Sequence, residues 1–228
     1  MMGNLVNYER SEGVSTVVMD DGKVNAMSVA MMQEINAALD QAEEHRSVVI
    51  LTGREGVFSA GFDLAVFKQG MEPLMEMLRV GARLAERLLS FPFPVIAACS
   101  GHGIAMGSFL LMSSDARIGA DGPFRIGMNE VAIGMTLPYF AVEIARHRLT
   151  PAYFDRATIL AEMYSPKEAI SPGFLDRVVP ADQLLDAARK TAAALSKLDM
   201  PAHAATKLRV RGTMLEALRQ AITSELGG

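Results

Sequence analysis

The sequence predicts an α/β fold with parallel strands, followed by a helical C-terminal region. Three observations predict it. Ser47–Thr52 (SVVILT) and Val95–Cys99 are short runs rich in β-branched and apolar residues, of the length of strands buried on both faces. Stretches of helical periodicity separate such runs, and strand–helix–strand repetition requires a mostly parallel sheet. Past Pro138 the pattern is almost entirely helical.

Taken in order, Leu5–Glu9 and Val14–Asp20 flank Ser11-Glu12-Gly13 and read as a hairpin. Ser28 is placed to cap a helix in which Val29, Met32, Ile35, Leu39 and Ala42 recur at helical spacing up to about Glu44. The strand Ser47–Thr52 leads into a loop, Gly53–Gly61, and then an amphipathic helix from about Pro73 to Ser90. Phe91-Pro92-Phe93-Pro94 ends that helix, because a residue before proline avoids the helical region. Val95–Cys99 is the next buried strand. A glycine-rich turn, a short apolar helix at about Gly107–Ser114 and a strand near Arg117–Ala120 follow. One further strand is expected at Arg177–Val179. The helices at about Ala181–Leu198 and Pro201–Leu226, with no strand between them, read as an appendage.

Composition narrows the function. The 228 residues carry 22 Lys+Arg against 26 Asp+Glu, a net charge of −4, which argues against a nucleic-acid partner. Half the residues are hydrophobic, enough for a substantial core and incompatible with a disordered chain. The lone cysteine, Cys99, excludes an internal disulfide framework and reads as a small core residue. Glu9 and Arg10 interrupt any signal-peptide core, no apolar run has membrane-spanning length, and Glu225-Leu226-Gly227-Gly228 is not a peroxisomal tripeptide. A cytoplasmic protein without membrane association is expected. His45, His102, His147 and His203 have no metal-ligand spacing, and no metal site is expected.

Two glycine-containing turns carry the chemistry. Gly101-His102-Gly103-Ile104-Ala105-Met106-Gly107 follows a buried strand and opens a helix, with Asp121 about twenty residues on. It imitates a dinucleotide fingerprint, but the helix is too short and the motif lies mid-chain. What survives is a set of backbone N–H groups at a helix start. Phe58-Ser59-Ala60-Gly61-Phe62-Asp63-Leu64 makes the same kind of turn after Ser47–Thr52. Asp63 there reads as a helix N-cap rather than a catalytic acid. Two such turns at adjacent strand ends let two amides converge on one oxygen, which is an oxyanion hole. Ser100 and Ser108 have no His–Asp pair to activate them, and His102 reads as a packing or hydrogen-bonding residue. Lys207, Arg209 and Arg211 read as a solvated helix face, with a ligand's phosphates as the functional alternative.

At this point the chain resembles the enoyl-CoA hydratase/isomerase (crotonase) superfamily. The likeness lies in Pro94–Gly101 with the continuation to Asp115, in the turn Phe58–Leu64, and in Asn25-Ala26-Met27-Ser28 before the first helix. It extends over nearly the whole chain. The resemblance implies a spiral of ββα turns over residues 1–198, a C-terminal helical trimerisation or lid segment over residues 199–228, and a homotrimer or dimer of trimers. It implies an acyl-CoA thioester as substrate and no separate cofactor, coenzyme A being part of the substrate.

Carried over residue by residue, the resemblance makes the N–H groups of Ala60 and Met106 the two oxyanion donors, with Ser108 as the alternative second donor. The second position is usually glycine, and a methionine there is strained if its φ must be positive. Lys23, Val24, Ala26, Ser59, Gly61, Phe62, Asp63, Leu64, Gly107, Phe109, Asn129 and Ile133 are expected to contact the acyl-CoA. Of the two glutamates that hydratases of the family use, the first falls on Phe109, which carries no proton, or on Leu111 in the alternative register. The second falls on Glu130. An isolated glutamate is ordinarily a solvated surface charge. Glu130 instead stands among Ile126, Met128, Val131, Ile133 and Met135, surroundings that would desolvate it and raise its pKa toward that of a useful base. The expected activity is a 3,2-enoyl-CoA double-bond shift with one carboxylate. Hydration of a 2-enoyl-CoA and a catalytically silent acyl-CoA-binding scaffold are the rival readings.

Overall fold

The computed structural model describes residues 4–227. Strands β1 (Val6–Ser11) and β2 (Val14–Met19) form the expected antiparallel hairpin. Its turn holds Glu12 and Gly13 at φ 51° and 76°, the left-handed pair that matches the twist of the flanking strands. From β2 the chain repeats one unit four times: a strand in the large sheet, a shorter strand beside it, then a helix. The first unit is β2, β3 (Ala26–Met27) and α1 (Val29–Glu44). The second is β4 (Val48–Gly53), β5 (Gly56–Ser59) with β6 (Gly61–Phe62), and α2 (Met71–Ser90). The third is β7 (Val95–Cys99), β8 (Gly101–Ile104) and α3 (Met106–Ser113), and the fourth is β9 (Ala116–Ala120), β10 (Ile126–Gly127) and α4 (Tyr139–Arg148). Then come α5 (Pro151–Thr158), β11 (Arg177–Val179), α6 (Leu184–Leu195) and α7 (Met200–Leu226).

The large sheet runs β1-β2-β4-β7-β9-β11 and is parallel from β2 onward. Its strands alternate between two cores. Val49 and Leu51 face the main core under α1, α2 and α3, whereas Val48, Ile50, Ile96 and Ala98 meet Leu184, Ala188 and Ala192 of α6 on the other side. Burial on both faces explains why these runs are unbroken rather than alternating. Ser28 caps α1 as expected, its Oγ accepting from Met31 N at 3.2 Å, and Met32, Ile35, Leu39 and Ala42 are buried.

Two expectations need correction. Gly53–Gly61 is not one loop, and Gly101–Ile104 is not a turn: both segments contain strands of a second layer, the parallel sheet β10-β8-β5. Strands of two to four residues are too short to show a period. Glycine serves their packing, since a Cβ on Gly101 would lie 1.9 Å from the Gly56 carbonyl carbon. That close backbone approach, not a phosphate, accounts for the first glycine of the apparent dinucleotide fingerprint.

The C-terminal helix lies against α2 and α4, and its Leu215, Leu218, Ile222 and Leu226 join the main core. Lys207 and Arg211 are neither solvated nor free for phosphates. Lys207 Nζ donates to Phe91 O (2.8 Å), Phe93 O (3.1 Å) and Asp115 Oδ2 (2.6 Å), while Arg211 donates to Leu89 O (2.8 Å) and pairs with Asp115 Oδ1 (2.9 Å). Both cations thereby close the carbonyl end of α2, where the helix dipole favours positive charge. Arg209 alone of the three is exposed.

Candidate active site

The three strands of the second sheet run parallel, so their C-terminal ends lie side by side, with β8 in the middle. Ala60 and Gly61 follow β5, Ala105 and Met106 follow β8, and Met128–Glu130 follow β10. One edge of one small sheet therefore gathers both glycine-containing turns and the glutamate. Ala105 N donates to Gly127 O at 3.0 Å, tying the second turn to the glutamate segment. An added Cβ on Gly61 would lie 2.7 Å from Ala105 Cβ and 3.4 Å from Met106 N, so the two turns touch there. An added Cβ on Gly107 would lie 2.6 Å from Ser59 O, so the start of α3 rests on the end of β5.

The first turn corrects the sequence reading. Ala60 N–H already donates to Val24 O at 3.0 Å, and Gly61 N–H to Ser59 Oγ at 3.1 Å. Ala60 is therefore not a free donor. Ser59 is fully buried and its hydroxyl donates to Asn25 O at 2.8 Å, so it braces the turn and does not face a ligand. Asn25, at φ 51°, donates through Nδ2 to Met19 O and Phe58 O. Asp21 accepts from the N–H groups of Lys23, Asn25 and Ala26. Burial pushes the Asp21 carboxyl up, but those backbone bonds and Arg54 outweigh it and hold the group below its usual range. This Asp21–Asn25–Ser59 brace was missed in the sequence. Its one signal is the Asp-Gly-Lys-Val-Asn run, a string of turn formers.

Asp63 caps no long helix. Its Oδ1 accepts from Ala65 N at 2.9 Å in a local turn, and α2 begins eight residues on, at Met71. Lys23, Val24 and Leu64 are exposed, while Ala26, Phe62 and Asp63 are half-buried. The Phe62 ring lodges against Gly81 of α2, within reach of the Met106 methyl.

In the second turn, the N–H groups of Met106, Gly107 and Ser108 open α3 and have no acceptor among the described residues. Ser108 thus remains available beside Met106. The positive φ expected to strain the methionine falls one residue earlier, on Ala105, at φ 51° and ψ −119°. His102 Nδ1 accepts from Arg125 N at 3.1 Å and its ring packs edgewise on Phe124, which is the hydrogen-bonding role expected of it. The Cys99 thiol is buried, and burial pushes it up to about 12.

Glu130 is 5% exposed, and neither carboxyl oxygen has a hydrogen-bond partner from another residue. Burial pushes its carboxyl up to about 7, and its own backbone N–H offsets only part of that. Met128 is buried as expected, but Val131 and Ile133 point outward and do not desolvate it. Half-buried Asn129 accepts from Ile133 N through its carbonyl. Phe109 is fully buried, its ring set edgewise 5.8 Å from that of Phe140. Val131, Met135, Leu137, Val142, Phe154 and Ile159 line a mostly apolar cavity of about 570 Å³, whose wall does not include Glu130. Among the described residues no cluster of His, Cys, Asp and Glu could hold a metal ion, and no helix is long and apolar enough to cross a membrane.

Comparison with known proteins bears on the family and the fold. Residues 9–227 match the family described as enoyl-CoA hydratase/isomerase. The chain is 31% identical to the mitochondrial enoyl-CoA delta isomerase 1 of Mus musculus over 190 residues, 81% of this chain and 66% of that protein. An enoyl-CoA hydratase/isomerase family protein from Pseudomonas syringae superposes with a TM-score of 0.97 at 47% identity, covering 99% of this chain and 98% of that one. A Mycobacterium tuberculosis protein superposes at 0.93 with 44% identity and 97% of each chain covered. It is described as an isomerase in that structure and as a probable enoyl-CoA hydratase in another.

Proposed function

The chain belongs to the enoyl-CoA hydratase/isomerase family, and from that premise we propose that it shifts the double bond of a 3-enoyl-CoA to C2, with Glu130 as its single base. The Glu130 carboxylate takes a proton from C2. The C–H electron pair moves toward the carbonyl and the charge collects on the thioester oxygen as a dienolate. Backbone N–H groups hold that oxygen. The carboxyl, now protonated, returns the proton at C4, which leaves the double bond between C2 and C3 and restores the base.

The observation that carries this reading is the Glu130 carboxyl itself, buried, unpartnered and raised to about 7. A group of that acidity accepts and returns a proton near neutral pH with little bias either way. Phe109 favours isomerisation over hydration, because by the family resemblance it takes the position of a hydratase's first glutamate, and a phenyl ring cannot hold water. Met106 N–H is the second oxyanion donor. Since Ala60 N–H is committed to Val24 O, we assign the first donor to the amide of Phe62, which follows the glycine in contact with Ala105.

The test is product analysis on a panel of 3-enoyl- and 2-enoyl-CoAs of varied chain length. The expected result is conversion of 3-enoyl to 2-enoyl thioesters with little hydration. Hydration of a short 2-enoyl-CoA at about 10² s⁻¹ or faster, a rate typical of efficient enzymes, would refute the single-base isomerase. Tight thioester binding with no turnover on any member would replace the enzyme with a binding scaffold.

A further inference from the structure

We propose that the methyl group of Ala105 is a positioning element that sets the separation of the two amide turns and the aim of the Met106 N–H. This rests on the oxyanion reading above. Ala105 joins β8 to α3 at φ 51° and ψ −119°, a region open chiefly to glycine. A side chain in such a conformation persists only where its surroundings over-determine it.

Here they do. The Ala105 N–H is held by Gly127 O at 3.0 Å. The Ala105 carbonyl accepts from Ser108 Oγ at 2.7 Å and from Phe109 N at 3.1 Å. That carbonyl belongs to the same planar peptide unit as the Met106 N–H. In a trans peptide the two point in opposite directions, so two bonds that draw the carbonyl into α3 turn the N–H outward. The third constraint is the methyl. An added Cβ on Gly61 would lie 2.7 Å from Ala105 Cβ, so the methyl sits over that glycine and is the nearest atom of the second turn to it. Gly61, at φ 97°, accommodates it by having no side chain. A glycine at 105 would adopt the same backbone without strain, but it would leave a gap between the turns and free the peptide unit to rock.

Ala105→Gly separates positioning from mere structure, because relief of strain and loss of activity then run in opposite directions. The probe is acetoacetyl-CoA, whose enolate is read by its near-ultraviolet absorption when bound. Wild-type protein should bind it and raise the enolate fraction. Ala105→Gly should melt no lower than wild type and bind with a similar Kd. It should nevertheless show about tenfold less enolate and about tenfold lower kcat at unchanged KM, short of the 10²–10³ that loss of a whole oxyanion donor costs. Ala105→Ser, which keeps a Cβ, should recover most of both signals. An Ala105→Gly protein that enolises the probe as fully as wild type overturns the proposal, as does failure of Ala105→Ser to recover the signals. Wild-type protein that binds the probe without enolising it overturns the oxyanion reading itself, a result distinct from the other two.

Discussion

Replacing Glu130 by glutamine should make the protein slower and should abolish the loss of stability that the wild type shows as pH rises from 4.5 to about 7. The shape is kept and the ionisable group is removed. In the folded chain the Glu130 carboxyl is raised to about 7 against an ordinary 4.5. Below pH 4.5 the group is protonated in both folded and unfolded chains and contributes nothing that depends on pH. As pH rises through 4.5 the unfolded chain ionises first, so the folded state loses stability until the folded carboxyl also ionises near 7. At 1.36 kcal/mol per pH unit that loss amounts to about 3 kcal/mol. Glutamine buries an unpartnered amide whose cost does not vary with pH, so it cancels when the pH dependence is compared. The stability of Glu130→Gln relative to wild type should therefore grow by about 3 kcal/mol between pH 4.5 and 8, or roughly 6–12 °C in Tm for a chain of this size, and then level off. Thermal unfolding of both proteins at one concentration across that range is the assay. Turnover should fall by about 10²–10⁴ with acyl-CoA binding retained, and the rise of wild-type kcat/KM through pH 7 should vanish. Parallel stability curves would show that the carboxyl is not held in a dry site, and near-normal kcat would remove Glu130 from the mechanism.

Lys207→Met should destabilise the fold by about 3–5 kcal/mol in denaturant titration, because it removes the ammonium that donates to the Phe91 and Phe93 carbonyls and neutralises Asp115, whose Oδ2 keeps only the Val95 N–H. A raised KM for acyl-CoA at unchanged stability would instead return Lys207 to a phosphate-binding role. The protein should scatter light as a trimer or a dimer of trimers, since Leu208 and Val210 of α7 and Val131, Ile133, Ile159 and Leu160 around the apolar cavity stay exposed in the single chain. A monomer at micromolar concentration would refute this.

The large sheet was legible because β4 and β7 are buried on both faces and so read as continuous apolar runs. The helices were legible because α1 and α2 bury one stripe each. The second sheet was not, since β5, β8 and β10 span only two to four residues and their pairing partners are distant in sequence. That layer is what brings the three candidate segments together, so candidates could be named from motifs but their contacts could not. Ala60 illustrates the limit: its motif marked it as a donor, while the Val24 carbonyl that occupies its N–H lies 36 residues away in the chain. The buried pair Lys207 and Arg211 illustrates another. A cationic helix face looks the same in sequence whether it meets water or the carbonyl end of a neighbouring helix.

How Glu130 is held bears on how it works. Its carboxyl touches no polar partner from another residue, yet its backbone is tightly fixed. The Glu130 carbonyl accepts from Ile133 N at 3.1 Å and from Met135 N at 2.9 Å, and Gly134 at φ 78° closes the turn. Fixing a base by hydrogen bonds to its carboxylate would lower its pKa, because each donor favours the charged form. Fixing it through the main chain leaves the acidity to burial, offset only in part by the residue's own backbone N–H. The second turn follows the same logic, since the Met106 N–H is aimed through bonds to the Ala105 carbonyl and none is made to the N–H itself. In the proposed reaction base and donor would each be oriented by the far side of their own backbone, and would meet the substrate without first breaking a bond to another side chain. That arrangement costs the folded state an unpartnered carboxyl and a strained alanine, both at the edge of one three-stranded sheet.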